Sequence, residues 1–129
     1  MKMRHRLPAR SNVGLALVAS LALAACGTPV SLRTAQAAFD TCDEALLAGE
    51  LVASSQSGLA IRSAETTTEV LWPFGYSATR ENSGLVLHDQ TGKVVGLQGQ
   101  RVEMGGGLGA NGVWAACAGT IHEVSNVGG

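Results

Sequence analysis

The chain has 129 residues, of which 46% are apolar, 4% aromatic and 15% charged, with 17 glycines, so it forms at most one small globular unit. Four of the nine basic residues precede residue 26, whereas all ten acidic residues follow it. The 104 residues after position 25 therefore carry a formal charge of −5. An acidic surface of this size argues against binding to nucleic acids and against electrostatic binding to anionic lipid headgroups.

The first 25 residues have the features of a secretory signal peptide that is cleaved. Residues 1–10 carry four fixed positive charges, and residues 13–25 form an uncharged run rich in leucine, alanine and valine. This order of a basic region and an apolar run is typical of export signals. The run of about 13 residues is shorter than the roughly 20 that a helix needs to cross a bilayer.

The apolar run ends at Leu23-Ala24-Ala25-Cys26, which resembles the lipobox of bacterial lipoproteins. The resemblance implies cleavage before Cys26, a diacylglyceryl group on its sulfur, and anchoring to the extracytoplasmic side of the cell membrane or, in a two-membrane cell, to the outer membrane. Two acyl chains hold a protein stably on a bilayer, whereas one chain holds it marginally. Ordinary secretion is the alternative, since residues 22–24 also fit a cleavage site.

Residues 26–39 are predicted to form the lipidated N-terminus and a tether. Residues 27–38 have little apolar bulk, and a flexible coil of 12 residues spans roughly 20 Å. A short helix within 32–48 is the competing prediction, because apolar residues recur there at steps of three and four.

Residues 40–125 are predicted to form an all-β domain, a small Greek-key barrel of five to six short strands. Asp89-Gln90-Thr91-Gly92 indicates a hairpin, with Gly92 suited to a left-handed backbone conformation. Short runs with alternating, β-branched or aromatic residues indicate the strands. They are 50–54, 59–62, 67–72, 85–88, 93–97, 101–104, 113–118 and 120–124.

A family resemblance covers residues 50–107. The segments that carry it are Leu-Trp-Pro-Phe-Gly-Tyr at 71–76, Gly-Leu-Val-Leu-His-Asp at 84–89, Gly-Lys-Val-Val-Gly at 92–96, and 99–107 with its three final glycines. They resemble small secreted bacterial domains of uncharacterised function. The resemblance implies a five-stranded barrel of the oligonucleotide/oligosaccharide-binding (OB) type, and it brings no activity, substrate or catalytic residue.

Two cysteines remain once Cys26 is assigned to the anchor. Cys42 and Cys117 form an even pair in a domain exported to an oxidising compartment, which indicates a disulfide. Two free buried thiols, or metal ligands together with His88 and His122, are the alternatives. The spacings lack the Cys-x-x-Cys and His-x-x-x-His patterns of common metal sites, so no metal or other cofactor is predicted.

Catalytic motifs are weak in this sequence. Residues 107–112 fit Gly-x-Gly-x-x-Gly literally, but the acidic residue expected about 20 positions later has no room in the chain. A glycine-rich loop between strands is the preferred interpretation. The alternative function, a small extracytoplasmic hydrolase, requires an unrecognised site built from His88, His122 and carboxylates. The adjacent Asp43 and Glu44 are more typical of a solvated face.

The candidate binding surface is aromatic. Trp72, Phe74 and Tyr76 hold three of the five aromatic residues, and their spacing places them on one side of an extended segment. The preferred interpretation is structural: Trp72 caps the barrel core and Tyr76 covers the following turn. The leading hypothesis is a non-enzymatic binding or structural domain that contacts membrane lipid through its anchor. Its expected partner is an envelope protein or glycan, and not nucleic acid.

Overall fold

The computed structural model describes residues 27–125, and this part of the chain contains ten strands and no helix. The predicted all-β class is confirmed. None of its segments is a helix with the length and hydropathy to cross a membrane. The strands are β1 (Thr28–Val30), β2 (Ala45–Ser54), β3 (Gly58–Ser63), β4 (Thr66–Leu71), β5 (Ser77–Glu81), β6 (Gly84–His88), β7 (Val94–Leu97), β8 (Arg101–Leu108), β9 (Trp114–Ala116) and β10 (His122–Glu123).

Five of these strands close into a barrel. Strand β2 pairs with β8 and β3, β3 pairs with β4, and β9 joins β4 to β8. The β4–β9 pairing is parallel and the other four are antiparallel. If the barrel strands β2, β3, β4, β8 and β9 are renumbered 1 to 5, their order around the barrel is 1-2-3-5-4-1. The predicted small Greek-key barrel of OB-like type is therefore confirmed.

A second, four-stranded sheet in the order β1-β5-β6-β7 lies beside the barrel, and β10 adds to the free edge of β8. Ala78 of β5 and Leu87 of β6 are buried in the same apolar cluster as Leu51 and Val102 of the barrel. The two sheets therefore share one hydrophobic core, and the inserted strands β5–β7 depend on the barrel for their burial.

Each of the eight predicted strand segments overlaps an observed strand. Strands β1 and β5 were not predicted. The sequence of β5, Ser-Ala-Thr-Arg-Glu, contains one apolar residue, and this strand forms between two neighbours, β1 and β6. Strand β1 contains Pro29, which is tolerated because β1 is an edge strand.

The predicted hairpin between β6 and β7 is confirmed. The Gly92 amide donates to the Asp89 carbonyl, and Gly92 has a φ of 89°. One oxygen of the Asp89 carboxylate accepts hydrogen bonds from the Thr91 hydroxyl and from the amides of Thr91 and Lys93. These hydrogen bonds hold the pKa of Asp89 below its usual value, and the bond from the Thr91 hydroxyl contributes most.

The short helix considered within 32–48 is not present. From Ala45 onward this window pairs with β8, and its first part is irregular apart from bridges at Thr34 and Glu44. Inter-strand hydrogen bonds to β8 replace the intrahelical ones, so the apolar spacing does not produce a helix.

The described part of the segment predicted to be a tether lies against the domain. Strand β1 pairs with β5, and Thr34 forms a parallel bridge with Trp72. Ala35 is buried, while Val30 and Leu32 pack against the core. Cys26 and the signal peptide at 1–25 lie outside the described residues.

A disulfide joins Cys42 to Cys117, whose Cα atoms are 5.9 Å apart, as predicted. It links the segment before β2 to the loop after β9 across 75 positions of sequence. The two thiols are therefore neither free nor available as metal ligands. Strands β2–β9 all lie inside the covalent loop that this bond closes.

Candidate functional site

An apolar depression of about 300 Å³ lies beside the disulfide. Four segments meet there: the segment before β2, the turn before β5, the turn of the β6–β7 hairpin and the loop after β9. We call this depression the disulfide groove and define it by six of its lining residues: Phe39, Cys42, Pro73, Phe74, Gln90 and Cys117.

The turn before β5 exposes Phe74. The Tyr76 amide donates to the Pro73 carbonyl, and Gly75 at the third position has a φ of 85°, which a side chain rarely adopts. Phe74 sits at the corner of this turn and is 54% exposed. A glycine after the phenylalanine thus lets the chain reverse and leaves the ring at the surface.

Phe39 lies on the segment before β2, on another side of the groove, and is 50% exposed. It belongs to an irregular segment that the disulfide at Cys42 ties to the loop after β9. Two of the five aromatic residues of the chain are therefore half exposed and line one depression.

Two further depressions adjoin the disulfide groove and share Cys42 and Cys117 with it. One of about 550 Å³ is lined by Asp43, Glu44, Leu46 and His122 among others, and one of about 170 Å³ extends past Phe39 toward Gly107. The disulfide therefore lies at the centre of a continuous uneven surface, and Leu46, which is 68% exposed, extends its apolar character.

The edge of this surface is acidic. Asp43 and Glu44 line the larger depression, and Asp40 lies in the sequence between Phe39 and Cys42. All three are exposed. Among residues 27–125, Arg62 pairs with Glu50, and His122 contacts Glu103 at 3.7 Å, so neither contact involves these carboxylates. We call Asp40, Asp43 and Glu44 the acidic rim.

The aromatic cluster at 72–76 is divided between core and surface. Trp72 is fully buried and donates from Nε1 to the Leu59 carbonyl at 2.9 Å. Tyr76 is also buried, and its hydroxyl accepts a hydrogen bond from the Gly119 amide at 3.2 Å. The turn at Phe74 and Gly75 breaks the extended conformation that a shared face requires. Phe74 alone of the three is exposed, so they do not form a single binding surface.

The two histidines of the hydrolase alternative have separate partners. His88 contacts the Thr79 hydroxyl at 3.0 Å through Nε2, and His122 contacts the Thr120 carbonyl at 2.9 Å through Nδ1. They lie on different sheets, on β6 and β10. In the described range, no group of three or more His, Cys, Asp or Glu side chains is placed to hold a metal ion.

A polar cluster that sequence reasoning missed lies beneath the β2–β3 turn. The Ser57 hydroxyl is fully buried and donates to the Glu69 carboxylate at 2.6 Å, while accepting from the Val70 amide. Ser54 donates to the same carboxylate. No histidine takes part in these bonds. They tie the turn to β4 and so support the barrel. The sequence did not indicate this cluster, because two serines and a distant glutamate form no recognisable motif.

The glycine-rich stretch at 107–112 forms the connection between β8 and β9, as the preferred interpretation expected. The Gly109 amide donates to the Val113 carbonyl, and the Gly112 amide donates to the Gly109 carbonyl. Because strands flank this turn on both sides, it is not the strand-to-helix turn of a dinucleotide site.

The outer face of β3 and β4 offers little to a nucleic acid or sugar ring. Thr67 is exposed there, and the neighbouring Arg62 is paired with Glu50 across β2 and β3. Stacking of bases or sugars needs exposed aromatic side chains, and none lies on strands β3 and β4.

Comparisons with known proteins add no functional information. A functional proposal therefore rests on the disulfide groove and its surroundings. Comparisons with protein-family models, with curated proteins and with solved structures each found no match. The resemblance to secreted bacterial domains stays a prediction from residues 50–107, whereas the barrel is observed.

Proposed function

We propose that this chain is a lipid-anchored envelope lipoprotein whose β-domain is a non-enzymatic binding module, and that the module binds another envelope component at the disulfide groove. The observation that carries the binding role is the pair of half-exposed rings, Phe39 and Phe74, on one apolar depression. Exposed apolar surface that is concentrated in one place is typical of interaction sites.

The anchor rests on the sequence before the domain. A basic region, an apolar run and Cys26 follow one another in the order that lipoprotein export requires. Gly27 is the single residue between Cys26 and β1, so an acyl group on Cys26 would hold the edge of the four-stranded sheet close to the bilayer. The acidic domain needs no basic patch for this, since two acyl chains are sufficient.

The disulfide supports the location. A bond between Cys42 and Cys117 is stable in an oxidising compartment outside the cytoplasm. It also fixes one loop of the groove relative to the others, which lowers the entropy lost when a partner binds.

Cys26→Ser is expected to abolish labelling of the protein by a radioactive or clickable fatty acid, because serine has no sulfur to accept the diacylglyceryl group. The protein should then accumulate uncut or leave the membrane fraction. The double variant Cys42→Ser with Cys117→Ser is the control, since it keeps Cys26 and leaves no unpaired thiol. Its labelling per molecule of protein should stay intact. A processed Cys26→Ser protein that stays in the membrane would contradict the anchor.

Phe74→Ser is expected to weaken capture of the partner at least tenfold while changing the free energy of unfolding by less than about 1 kcal/mol, since the ring is half exposed. The measurement is crosslinking in intact cells from a photoreactive side chain introduced at Gln90, which lies at the same groove.

Leu108→Ser is the matched control for Phe74→Ser. Leu108 is 64% exposed and lines none of the three depressions around the disulfide. Its replacement should leave the crosslinked product unchanged. Equal crosslinking in Phe74→Ser and the parent protein would remove the groove as the binding site.

A further inference from the structure

We propose that the partner of the disulfide groove is an extended polypeptide segment that carries both basic and apolar side chains and reaches the groove from the aqueous side of the membrane. This inference rests on the proposed function and adds the chemistry of the partner to it.

The shape of the surface favours an extended chain. Three adjoining depressions share the disulfide, and apolar groups occur along them at Phe74, Phe39 and Leu46. A single sugar ring would fill one depression. Successive side chains of an extended polypeptide can enter neighbouring depressions, because alternate side chains point to the same side.

The charge around the surface determines which sign of charge a partner can carry there. Two exposed carboxylates of the acidic rim, Asp43 and Glu44, line the depressions. The lining residues include no lysine or arginine, and His122 is the one basic side chain among them. Lysine or arginine side chains of a bound segment would meet these carboxylates, whereas an acidic segment would be repelled. Phosphate headgroups of anionic lipids would be repelled for the same reason.

The position of the anchor places the groove away from the lipid attachment. Thr28 of β1 pairs with Arg80, and Gly27 lies against Arg80 and Glu81 at the far end of β5. Phe74 precedes the other end of β5, at Ser77. The five residues of β5 span about 13 Å at about 3.3 Å per step. Gly27, the residue after the proposed anchor, and the groove therefore lie at opposite ends of β5. A partner in the aqueous space would meet the groove first.

The test uses the processed lipoprotein reconstituted in phosphatidylcholine vesicles and three labelled peptides of ten residues. The basic probe alternates lysine with leucine, the acidic probe has glutamate in place of lysine, and the polar probe has serine in place of leucine. Fluorescence anisotropy should show binding of the basic probe at least tenfold tighter than that of the other two. The preference over the acidic probe should shrink at high salt, since salt screens exposed charges.

Variants locate the binding on the protein. Asp43→Asn with Glu44→Gln should weaken binding of the basic probe at least fivefold, whereas Glu65→Gln with Glu81→Gln, which removes the same charge elsewhere, should leave it within twofold. Phe74→Ser should weaken it at least tenfold. An acidic probe that binds as tightly as the basic one would overturn the inference.

Two other occupants give distinct results. Phosphatidylglycerol vesicles that bind the groove and displace the basic probe would assign it to lipid, and a dimer lost on Phe74→Ser would assign it to a second copy of the chain; either outcome overturns the inference. Crosslinking from Gln90 to an envelope component without binding of the basic probe would overturn this inference and leave the proposed function standing. Loss of both would overturn the proposed function as well.

Discussion

Trp72→Ala is expected to lower the free energy of unfolding by about 3 to 5 kcal/mol, which is a large part of the stability of a domain of this size. Trp72 is fully buried in the core shared by the two sheets, so its removal leaves a cavity that the barrel cannot close completely. The Leu59 carbonyl also loses the hydrogen bond from the indole nitrogen. Thermal and urea unfolding of the exported, processed protein would measure the change.

Phe74→Ala is the matched control, because it truncates an aromatic residue two positions away that is half exposed. Its effect on the free energy of unfolding should stay within about 1 kcal/mol. Trp72→Phe should fall between the two, since it keeps most of the packing and loses the hydrogen bond. A Trp72→Ala protein as stable as Phe74→Ala would show that Trp72 does not belong to the core.

Loss of the disulfide is the second large expected effect. Closing a loop of 75 positions stabilises a domain by about 4.5 kcal/mol in the chain-entropy model, which is an upper figure. The double replacement Cys42→Ala and Cys117→Ala should therefore lower the melting temperature well below that of the oxidised parent. Reduction of the parent protein by dithiothreitol should produce a similar decrease.

Replacing both cysteines together avoids the unpaired thiol that either single variant would leave. Cys26 is present in every protein compared, so the proposed lipid would not distinguish them. Two thiols that react with a thiol reagent in the unreduced, exported protein would contradict the bond between Cys42 and Cys117.

The barrel could be predicted from the sequence because its strands follow local rules. Short alternating runs indicated all eight predicted strands, most of them separated by glycine-containing turns, and Asp89 to Gly92 indicated the β6–β7 hairpin. Strand β5 could not be predicted, since Ala78 is its single apolar residue. Its pairing comes from β1 and β6, and neighbours distant in the sequence are invisible to a local pattern.

The candidate site could be predicted only in part. The sequence drew attention to Phe74. Its grouping with Trp72 and Tyr76, however, assumed that the segment is extended, whereas the chain turns at Gly75. Phe39 entered the sequence analysis only as the last residue of the predicted tether and within the segment 32–48 considered for a helix. Its position beside Phe74 depends on a covalent bond between residues 75 positions apart, and such proximity has no signature in local spacing.

The position of the disulfide has a mechanical consequence for an anchored protein. If Cys26 carries the proposed anchor, a pull on a partner held at Phe39 and the disulfide is transmitted from Cys26 through β1 and residues 31–42 to Cys42. Strands β2–β9 lie within the loop closed by Cys42 and Cys117, off this route. The pairing of β1 with β5 and the bridge from Thr34 to Trp72 resist the pull first. These contacts can open and lengthen the link to the membrane while the barrel that forms the groove stays folded.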